Sequence, residues 1–446
     1  MLEHRLTYRT RSELEATSSG TWLRLASEGD ASDVPRGFLV TRALSPDVTA
    51  RSLRAVSEIV GSRFYVPPAM LARILREADP VATVSPGAVR FEGFSACCSA
   101  YIRLDLGDDA LDVAEHRNGT TNVDFGPELR AALARVRRDS TLDITIGEDS
   151  VGISHESAAV VERKVPLPLR WIRGFGEVQV HLVRMRRTAN VPRIAAHRFL
   201  RAQPRSKTDH LQWITVTASG LRTSARQSDG AVPLRGGHRL RVLEPLMPFA
   251  DEMEIWIDDA TGSTAWVLVL GAQRLTLVLN AEPWRGFSGD GGLLSDLAGA
   301  DESDVAALRA QFHWQDRLVP AELAEATGLA ADTLDRALAR AAAEGLVGFD
   351  LATGAYFHRV LPFRLDRMER LNPRLKAARA LVEAGAVELG TDSAKVTSDG
   401  VVHELRLSGD ALSCTCPWHA KHKTARGPCK HALAVDMAME AGRDGR

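Results

Sequence analysis

Cysteine is scarce in this chain, with five residues in 446. So few cysteines over such a length do not make the disulfide framework of a small secreted protein. Long apolar runs are also missing, since runs such as residues 266–270 are strand-sized and far too short to cross a bilayer. Residues 1–5 lack the apolar core of a signal peptide. We therefore expect a cytoplasmic protein without membrane contact.

Motifs for phosphate binding and catalysis are missing as well. The chain has no GxSxG nucleophile elbow, no HExxH helix, no P-loop and no dinucleotide-binding fingerprint. Residues 286–292 are rich in glycine but lack the Lys and Ser/Thr of a P-loop, so we interpret them as a connector. We predict a non-enzymatic protein. The alternative is an enzyme with its site in residues 1–290, which a cleft with converging acids and perturbed histidines would favour.

Charge is balanced over the whole chain, with a formal net charge of −1, so any electrostatic signal must be local. Between residues 163 and 207 Glu177 is the only acid, and Trp171, Phe175 and Phe199 lie among the cations. Such a stretch suits a nucleic-acid backbone or an acidic protein face. The alternative is a set of solvated strand and loop faces. The cations predicted to contact a partner, three of them near the C-terminus, are Arg163, Lys164, Arg170, Arg173, Arg184, Arg186, Arg187, Lys421, Lys423 and Arg426.

Residues 1–290 predict a large α+β domain. Short segments in which apolar and polar residues alternate indicate strands, and amphipathic helices lie between them. A helix–strand–turn–strand order recurs, and the four copies span 68–91, 127–153, 195–225 and 238–280. Such units resemble the architecture of sliding clamps, in which helices line one face of a continuous sheet. The alternative is a generic α+β domain with hairpins.

Residues 301–363 predict a winged helix. Three helices are followed by a hairpin that would form the wing, and the segment resembles winged helix-turn-helix domains over nearly its full length. The third helix begins with Asp332 and Asp335, and an acidic first turn would repel phosphates. We therefore favour a protein-contacting or structural role over DNA reading. The predicted helices and hairpin span residues 305–314, 320–327, 331–344 and 346–361.

Residues 364–446 form the third predicted region. It opens with a basic helix, continues with four short strands, and ends in a helix that begins at Lys430. The cations of the first helix are Arg364, Arg367, Arg370, Arg374, Lys376 and Arg379.

Two of the cysteines, Cys97 and Cys98, are adjacent. The pattern predicts a strand over residues 94–106, on which neighbouring side chains point to opposite faces. We therefore expect at least one of the two to be a small buried residue, and both to be structural and reduced rather than a redox pair.

The other three cysteines lie near the C-terminus, and their close spacing indicates metal ligands. The run is Cys414-Thr-Cys416, twelve residues, then Cys429-Lys-His431. A C-x-C pair at a strand end and a C-x-H pair on the first turn of a helix can face one point. The four side chains are the thiolate and imidazole ligands that structural zinc requires. We predict one structural zinc ion, with Cys429 favoured as a thiolate by the helix N-terminus.

His419 and His422 lie between the two pairs and are rival ligands. We rank them below His431, because they break the geometry in which one pair comes from a strand and the other from a helix.

This pattern, with GPCKHALA at residues 427–434 after two short strands, resembles the SWIM zinc finger over about residues 401–440. The whole chain is similar to bacterial SWIM proteins encoded beside MoxR-type AAA ATPases and von Willebrand A-domain proteins. The resembling stretches are FSACCS at 94–99, GTTNVDF at 119–125 and ERKVPLPLRWIRGF at 162–175. The resemblance implies an accessory role, with such ATPases and A-domain proteins as partners, rather than a known reaction.

Overall fold

The chain is described by a computed structural model. The residues that it describes are 13–17, 20–24, 37–63, 80–122, 125, 127–147, 150–155, 158–163, 167–362, 372–408, 411–423 and 426–444. Helices and several antiparallel sheets are both present, which confirms the predicted α+β class. Within these ranges no helix combines the length and the apolar character needed to cross a membrane.

The first part of the chain is built from strands that pair as antiparallel neighbours. These strands are β1 (Glu13–Thr17), β2 (Gly20–Arg24), β3 (Gly37–Ala43), β4 (Val81–Ser85), β5 (Ala88–Phe94), β6 (Ala100–Gly107), β7 (Leu111–His116), β8 (Gly119–Asn122), β9 (Asp143–Gly147), β10 (Ser150–His155), β11 (Ala158–Arg163), β12 (Arg186–Pro192), β13 (Gln212–Thr217), β14 (Gly220–Ser224), β15 (Val232–Leu234), β16 (Glu252–Asp258), β17 (Ser263–Leu270) and β18 (Gln273–Leu279).

An eight-stranded sheet forms the centre of this part, in the order β12-β16-β17-β18-β6-β5-β4-β8. Smaller sheets have the orders β11-β10-β9-β3-β7 and β14-β13-β15, and β1 pairs with β2. The strands of the four predicted repeat copies are thus distributed over three sheets. The predicted helix at 68–78 lies outside the described residues, and the repeat stays a prediction.

The helices of this part are α1 (Pro46–Gly61), α2 (Pro127–Arg135), α3 (Leu169–Arg184) and α4 (Arg193–Ala202). On α3 the apolar residues Trp171, Phe175, Val178 and Leu182 recur every three or four positions, which places them on one face. All four are at most 2% exposed. Burying such side chains stabilises the fold by about 2 kcal/mol each.

One predicted copy of the repeat begins with a 3-10 helix, Gly237–Phe249, rather than an α-helix. Pro245 and Pro248 lie within it. Proline lacks a backbone N–H and therefore interrupts the hydrogen bonds of an α-helix.

The predicted strand over residues 94–106 is wrong at its beginning. Strand β5 ends at Phe94, β6 begins at Ala100, and residues 95–99 form the turn between them. The hydroxyl oxygen of Ser95 accepts hydrogen bonds from the backbone N–H groups of Ser99 and Ala100, at 3.2 and 3.1 Å. This side-chain contact stabilises a turn that contains no glycine or proline.

Both turn cysteines are nevertheless buried, which confirms the expected burial. Cys97 is 4% exposed and Cys98 is fully buried. Burial is the main reason that the pKa of the Cys98 thiol is raised to about 12. Cys98 therefore carries a neutral thiol at physiological pH.

The next segment contributes helices and one hairpin. Its elements are α5 (Leu294–Ala298), α6 (Glu302–Arg309), α7 (Pro320–Thr327), α8 (Ala331–Ala343), β19 (Val347–Asp350) and β20 (Ala355–His358). A single cluster of buried apolar side chains extends from Leu39 in β3 to Leu361 after β20, so the elements from α6 to β20 share the core of the large sheet. Leu294 and Leu297 of α5 belong to two smaller clusters. Gly176 permits close packing of α3 and α8, since a Cβ there would lie 3.1 Å from the Cα of Ala343.

Buried polar contacts fix the β19–β20 hairpin to the large sheet. The guanidinium of Arg103 donates to the carbonyl oxygen of Phe349 at 2.7 Å and to the carboxylate of Asp350 at 2.8 Å. Arg359, which follows β20, forms an ion pair with Glu92 of β5, and both side chains are 0% exposed. These contacts join residues about 250 positions apart in the chain.

The last part contains α9 (Pro373–Glu383), β21 (Val387–Leu389), β22 (Ser393–Ser398), β23 (Val401–Ser408), β24 (Ala411–Cys414), α10 (Pro417–His422) and α11 (Lys430–Asp444). The strands form one sheet in chain order. Leu433 and Ala434 of α11 pack with Ala378 of α9 and Leu294 of α5, which holds the module against the rest of the chain. Arg364, Arg367 and Arg370 of the predicted basic helix lie outside the described residues. The three predicted domain boundaries stay a prediction.

Candidate metal centre

The predicted ligands lie where a strand and two helices meet. Cys414 is the last residue of β24, and Cys416 immediately precedes α10, where its Sγ accepts the backbone N–H of His419 at 3.4 Å. Cys429 immediately precedes α11, and its Sγ accepts the backbone N–H of Ala432 at 3.4 Å. Both cysteines therefore act as helix N-caps, a position that favours negative charge.

The four ligand atoms form one compact group. The Sγ atoms of Cys414, Cys416 and Cys429 and a ring nitrogen of His431 all lie within 4.8 Å of one another, and all four residues are buried. The Sγ of Cys414 lies 3.8 Å from the Nδ1 of His431. Bond lengths of about 2.3 Å for Zn–S and 2.0–2.1 Å for Zn–N place ligand atoms about 3.6 Å apart in a tetrahedron. This Cys3His group could therefore hold a metal ion.

The rival histidines do not join the group. Within the described part of the chain, no His, Cys, Asp or Glu other than these four forms such a cluster. His422 instead lies beside Trp418, with ring centroids 4.6 Å apart. The structure thus brings together the ligands that the sequence predicted.

The chemistry of the group also suits a metal. The hydrogen bond that Cys429 accepts from Cys414 is the main reason that the pKa of Cys429 is lowered to about 3, while the pKa of Cys414 is raised. Of these two thiols, Cys429 is therefore the one that favours the thiolate form. The Nδ1 of His431 faces the Sγ of Cys414, which places the imidazole to share an ion with the thiols.

The metal loop, defined here as residues 414–423 and 426–431, packs closely on the glycine-rich segment 286–292. A Cβ on Gly427 would lie 2.0 Å from the carbonyl oxygen of Gly291, so only glycine fits there. Arg374 of α9 donates to the carbonyl oxygens of Arg426 and Pro428, at 2.7 and 2.8 Å. The interpretation of 286–292 as a mere connector was therefore incomplete, because the segment is also the surface on which the metal loop packs.

A buried histidine contacts the same glycine-rich segment. His181 of α3 contacts Asp258 through Nδ1 at 2.9 Å and Asp290 through Nε2 at 3.1 Å. Burial alone would lower its pKa, but the hydrogen bonds and charges of the two aspartates outweigh burial and raise the pKa to about 9. The ring is thus a charged contact that joins α3, β16 and the glycine-rich segment.

An open groove of about 220 Å³ lies on the other side of this network, between the three-stranded sheet and one end of the large sheet. Thr261 and Asn280 line it, and each hydrogen bonds to one of the aspartates that hold His181. His181 is thus a histidine with a perturbed pKa near a cleft, the combination that would favour an enzyme. Both of its ring nitrogens, however, contact carboxylates. A protonated ring in that position has no lone pair with which to accept a proton.

The aromatic residues of the basic stretch do not accompany its cations on the surface. Trp171, Phe175 and Phe199 are at most 4% exposed and belong to the core. The expectation of a mixed basic and aromatic surface is therefore wrong for these three residues. These aromatic residues have the spacing of the apolar face of an amphipathic helix, and that face is buried here.

The cations predicted to contact a partner separate into three groups. Lys164 lies outside the described residues, as does the side chain of Arg163. Three cations contact other groups of the protein. Arg170 donates a hydrogen bond to the carbonyl oxygen of Ala96. Arg186 forms an ion pair with Asp259, and Arg187 forms one with Glu254. The third group is Arg173, Arg184, Lys421, Lys423 and Arg426, which have no carboxylate within ion-pair distance in the described part of the chain.

Sequence reasoning missed the residues that join the metal loop to the rest of the protein. Arg374 was noted only as one cation of a basic helix, and Gly291 only as part of a connector. Their roles depend on contacts between distant segments, and no local pattern marks such contacts. In comparisons with known proteins, the chain matches no family model and no curated protein.

Proposed function

We propose that the C-terminal module is a zinc finger of the SWIM type that holds one structural zinc ion. The observation that carries the proposal is the buried group of Cys414, Cys416, Cys429 and His431. Three thiolates and one imidazole are a common ligand set for structural zinc, whereas magnesium and calcium prefer oxygen ligands. The order of a strand, a C-x-C pair, a loop, a C-x-H pair and a helix also agrees with the SWIM pattern.

The ion would organise structure rather than catalyse a reaction. Four protein ligands complete a tetrahedron and leave no position for a reactive water. Zinc bound to Cys429 and His431 would hold the first turn of α11 against β24, and metal-binding free energy would become folding free energy for this small module.

We also propose that the protein is a non-enzymatic, cytoplasmic accessory factor that binds nucleic acid or an acidic protein face. Lys421 and Lys423 of the metal loop are exposed and have no carboxylate within ion-pair distance in the described part of the chain. They support this proposal, because such charges attract phosphates or carboxylates. The resemblance to SWIM proteins encoded beside MoxR-type AAA ATPases and von Willebrand A-domain proteins suggests those proteins as partners.

Helices α6 to α8 and the β19–β20 hairpin would form a winged helix with a structural role. In a DNA reader, the third helix must be free to enter a groove. The outer face of α8 begins with Asp332, whose side chain is 74% exposed, and an acid at that position would repel phosphates. This charge supports a third helix that does not read DNA.

A pull-down with mass spectrometry, performed with and without nuclease, tests the accessory role. The bait is the full chain, and the matched control is the Cys429→Ser, His431→Ala double variant. Proteins that no longer co-purify after nuclease treatment would be bound through nucleic acid. Proteins that still co-purify would be bound by direct protein contact. Recovery of the same set by wild type and variant would contradict a role for the zinc module.

A further inference from the structure

One arginine outside the ligand group contacts two separate parts of the metal loop. Arg374 is the second residue of α9, and its Nη1 donates to the carbonyl oxygens of Arg426 and Pro428, at 2.7 and 2.8 Å. The Cζ of its guanidinium also lies over the indole ring of Trp418, 4.5 Å from the ring centroid. A single side chain therefore connects the beginning of the loop to its end.

These contacts lie next to the two ligand pairs. Trp418 belongs to α10, the helix that Cys416 caps. Pro428 immediately precedes Cys429, the first ligand of the C-x-H pair. Arg374 thus joins the segment that follows the C-x-C pair to the segment that carries the C-x-H pair. It does so without being a ligand itself.

The guanidinium is held in place by parts of the protein outside the metal loop. Leu375, the next residue of α9, is 4% exposed and packs with Leu293. Gly291 lies so close that a Cβ there would be 2.6 Å from the Nη2 of Arg374 and 2.9 Å from the carbonyl oxygen of Arg426. These contacts involve no metal ligand, so they do not require a bound ion.

The type of contact made by Arg374 suits it to order the loop. Hydrogen bonds donated by a charged guanidinium are stronger than those between neutral groups, and a guanidinium over a tryptophan ring adds a cation–π attraction. Without these contacts, the ion would have to order the chain between Cys416 and Cys429 by itself, and the entropy lost in closing that loop would weaken binding. Residues that orient metal ligands typically change metal affinity about 10- to 100-fold.

We infer that Arg374 is a positioning residue for the candidate zinc site, and that it brings the two ligand pairs together before an ion binds. The inference rests on the proposed zinc site and adds a determinant of its affinity that lies outside the ligand set. Trp418 is the second member of this arrangement, because the guanidinium lies over its ring. The metal-free chain would keep the contact between the two residues.

Competition with a chromophoric zinc chelator tests the inference on the full chain. Arg374→Gln removes the charge and the contact with the ring, so we expect it to weaken zinc binding about tenfold or more. Arg374→Lys keeps the charge but lacks the planar fork of donors, and it should recover only part of the affinity. Trp418→Leu should also weaken binding, whereas Trp418→Phe, which keeps an aromatic face, should lie closer to wild type. The double variant Arg374→Gln, Trp418→Leu should lose less than the product of the two single losses, because both changes remove one shared contact.

Two further measurements separate positioning from a change in the ligands. The cobalt-loaded Arg374→Gln protein should keep the visible absorption bands of a tetrahedral site with three thiolates, because its ligands are unchanged. Hydrogen exchange of the metal-free protein, measured by mass spectrometry, should be faster in the metal loop of Arg374→Gln than in wild type. Equal exchange in the two metal-free proteins would contradict a role before the ion binds.

Lys376→Gln is the matched control, because Lys376 is an exposed cation on the same helix and makes no hydrogen bond to the metal loop among the described residues. It should leave zinc affinity unchanged. If wild type binds one zinc ion and Arg374→Gln binds it as tightly as Lys376→Gln does, the inference is wrong while the proposed zinc site stands. If wild type binds no zinc, the proposed site fails and the inference fails with it. Should Arg374→Gln not fold, the half-buried Trp418 allows the same comparison between its Leu and Phe variants.

Discussion

The buried ion pair between Arg359 and Glu92 offers the sharpest test of how the chain is held together. Both side chains are 0% exposed, and the Tyr101 hydroxyl donates a second hydrogen bond to Glu92 at 2.8 Å. Two nitrogens of Arg359, Nε and Nη2, have no partner among the described residues, so Glu92 is its principal counterion. Replacing Glu92 by Gln would leave a guanidinium charge buried without compensation.

Removing one partner of a buried pair costs about 3–5 kcal/mol. Because the pair fixes β20 to the large sheet, we expect this loss in the local opening free energy of β19 and β20. Native-state hydrogen exchange measured by mass spectrometry should then show exchange roughly 150-fold to 5,000-fold faster in that hairpin for Glu92→Gln, since 1.36 kcal/mol corresponds to a factor of ten. The double variant Glu92→Gln, Arg359→Met should recover part of the loss, because it removes the uncompensated charge.

The matched control is Asp259→Asn, which breaks the exposed pair with Arg186, where the two side chains are 57% and 60% exposed. Exposed pairs contribute about 0–1 kcal/mol, so exchange should change less than about fivefold. If Glu92→Gln were as mild as Asp259→Asn, the argument that this pair locks the hairpin to the sheet would fail.

Three further results are expected. Protonated His181 should stabilise the fold by about 3 kcal/mol, since its pKa is raised from 6.5 to about 9. This contribution is complete below pH 6.5 and is lost as pH rises through 9. Urea denaturation of wild type and His181→Gln from pH 6 to 10 should show this loss only in wild type. Gly427→Ala should expose the metal loop to limited proteolysis, whereas Gly385→Ala, which has a similarly positive φ but open space for a Cβ, should not. Cys97 and Cys98 should both titrate as free thiols in the unfolded protein, and a missing pair of thiols would contradict their structural role.

The parts of the fold that were predictable are those with local signals. Alternating apolar residues predicted strands such as β13, and Gly328 and Gly345, both with positive φ, occur at the predicted helix ends. The zinc ligands were predictable because C-x-C and C-x-H place both members of each pair within three residues. A turn without glycine or proline, at residues 95–99, gave no local signal and was missed.

What could not be predicted depends on contacts between distant segments. Arginine is ordinarily a surface residue, so nothing at Arg359 indicated a side chain at 0% exposure that pairs with a residue 267 positions earlier. The contact of Gly427 with Gly291 likewise exists only once the module packs on the core. Sequence spacing also could not show that Trp171 and Phe175 face inward while Trp284 faces outward.

The most direct test of the central claim is the zinc content of the chain. Elemental analysis by mass spectrometry on protein purified without chelator should give one zinc per chain for wild type. The Cys429→Ser, His431→Ala double variant should give none, while His419→Ala and His422→Ala should keep one zinc each, because those histidines lie outside the ligand group. Full zinc occupancy in the double variant, or loss of zinc in a rival-histidine variant, would contradict the assignment of Cys414, Cys416, Cys429 and His431 as the ligands.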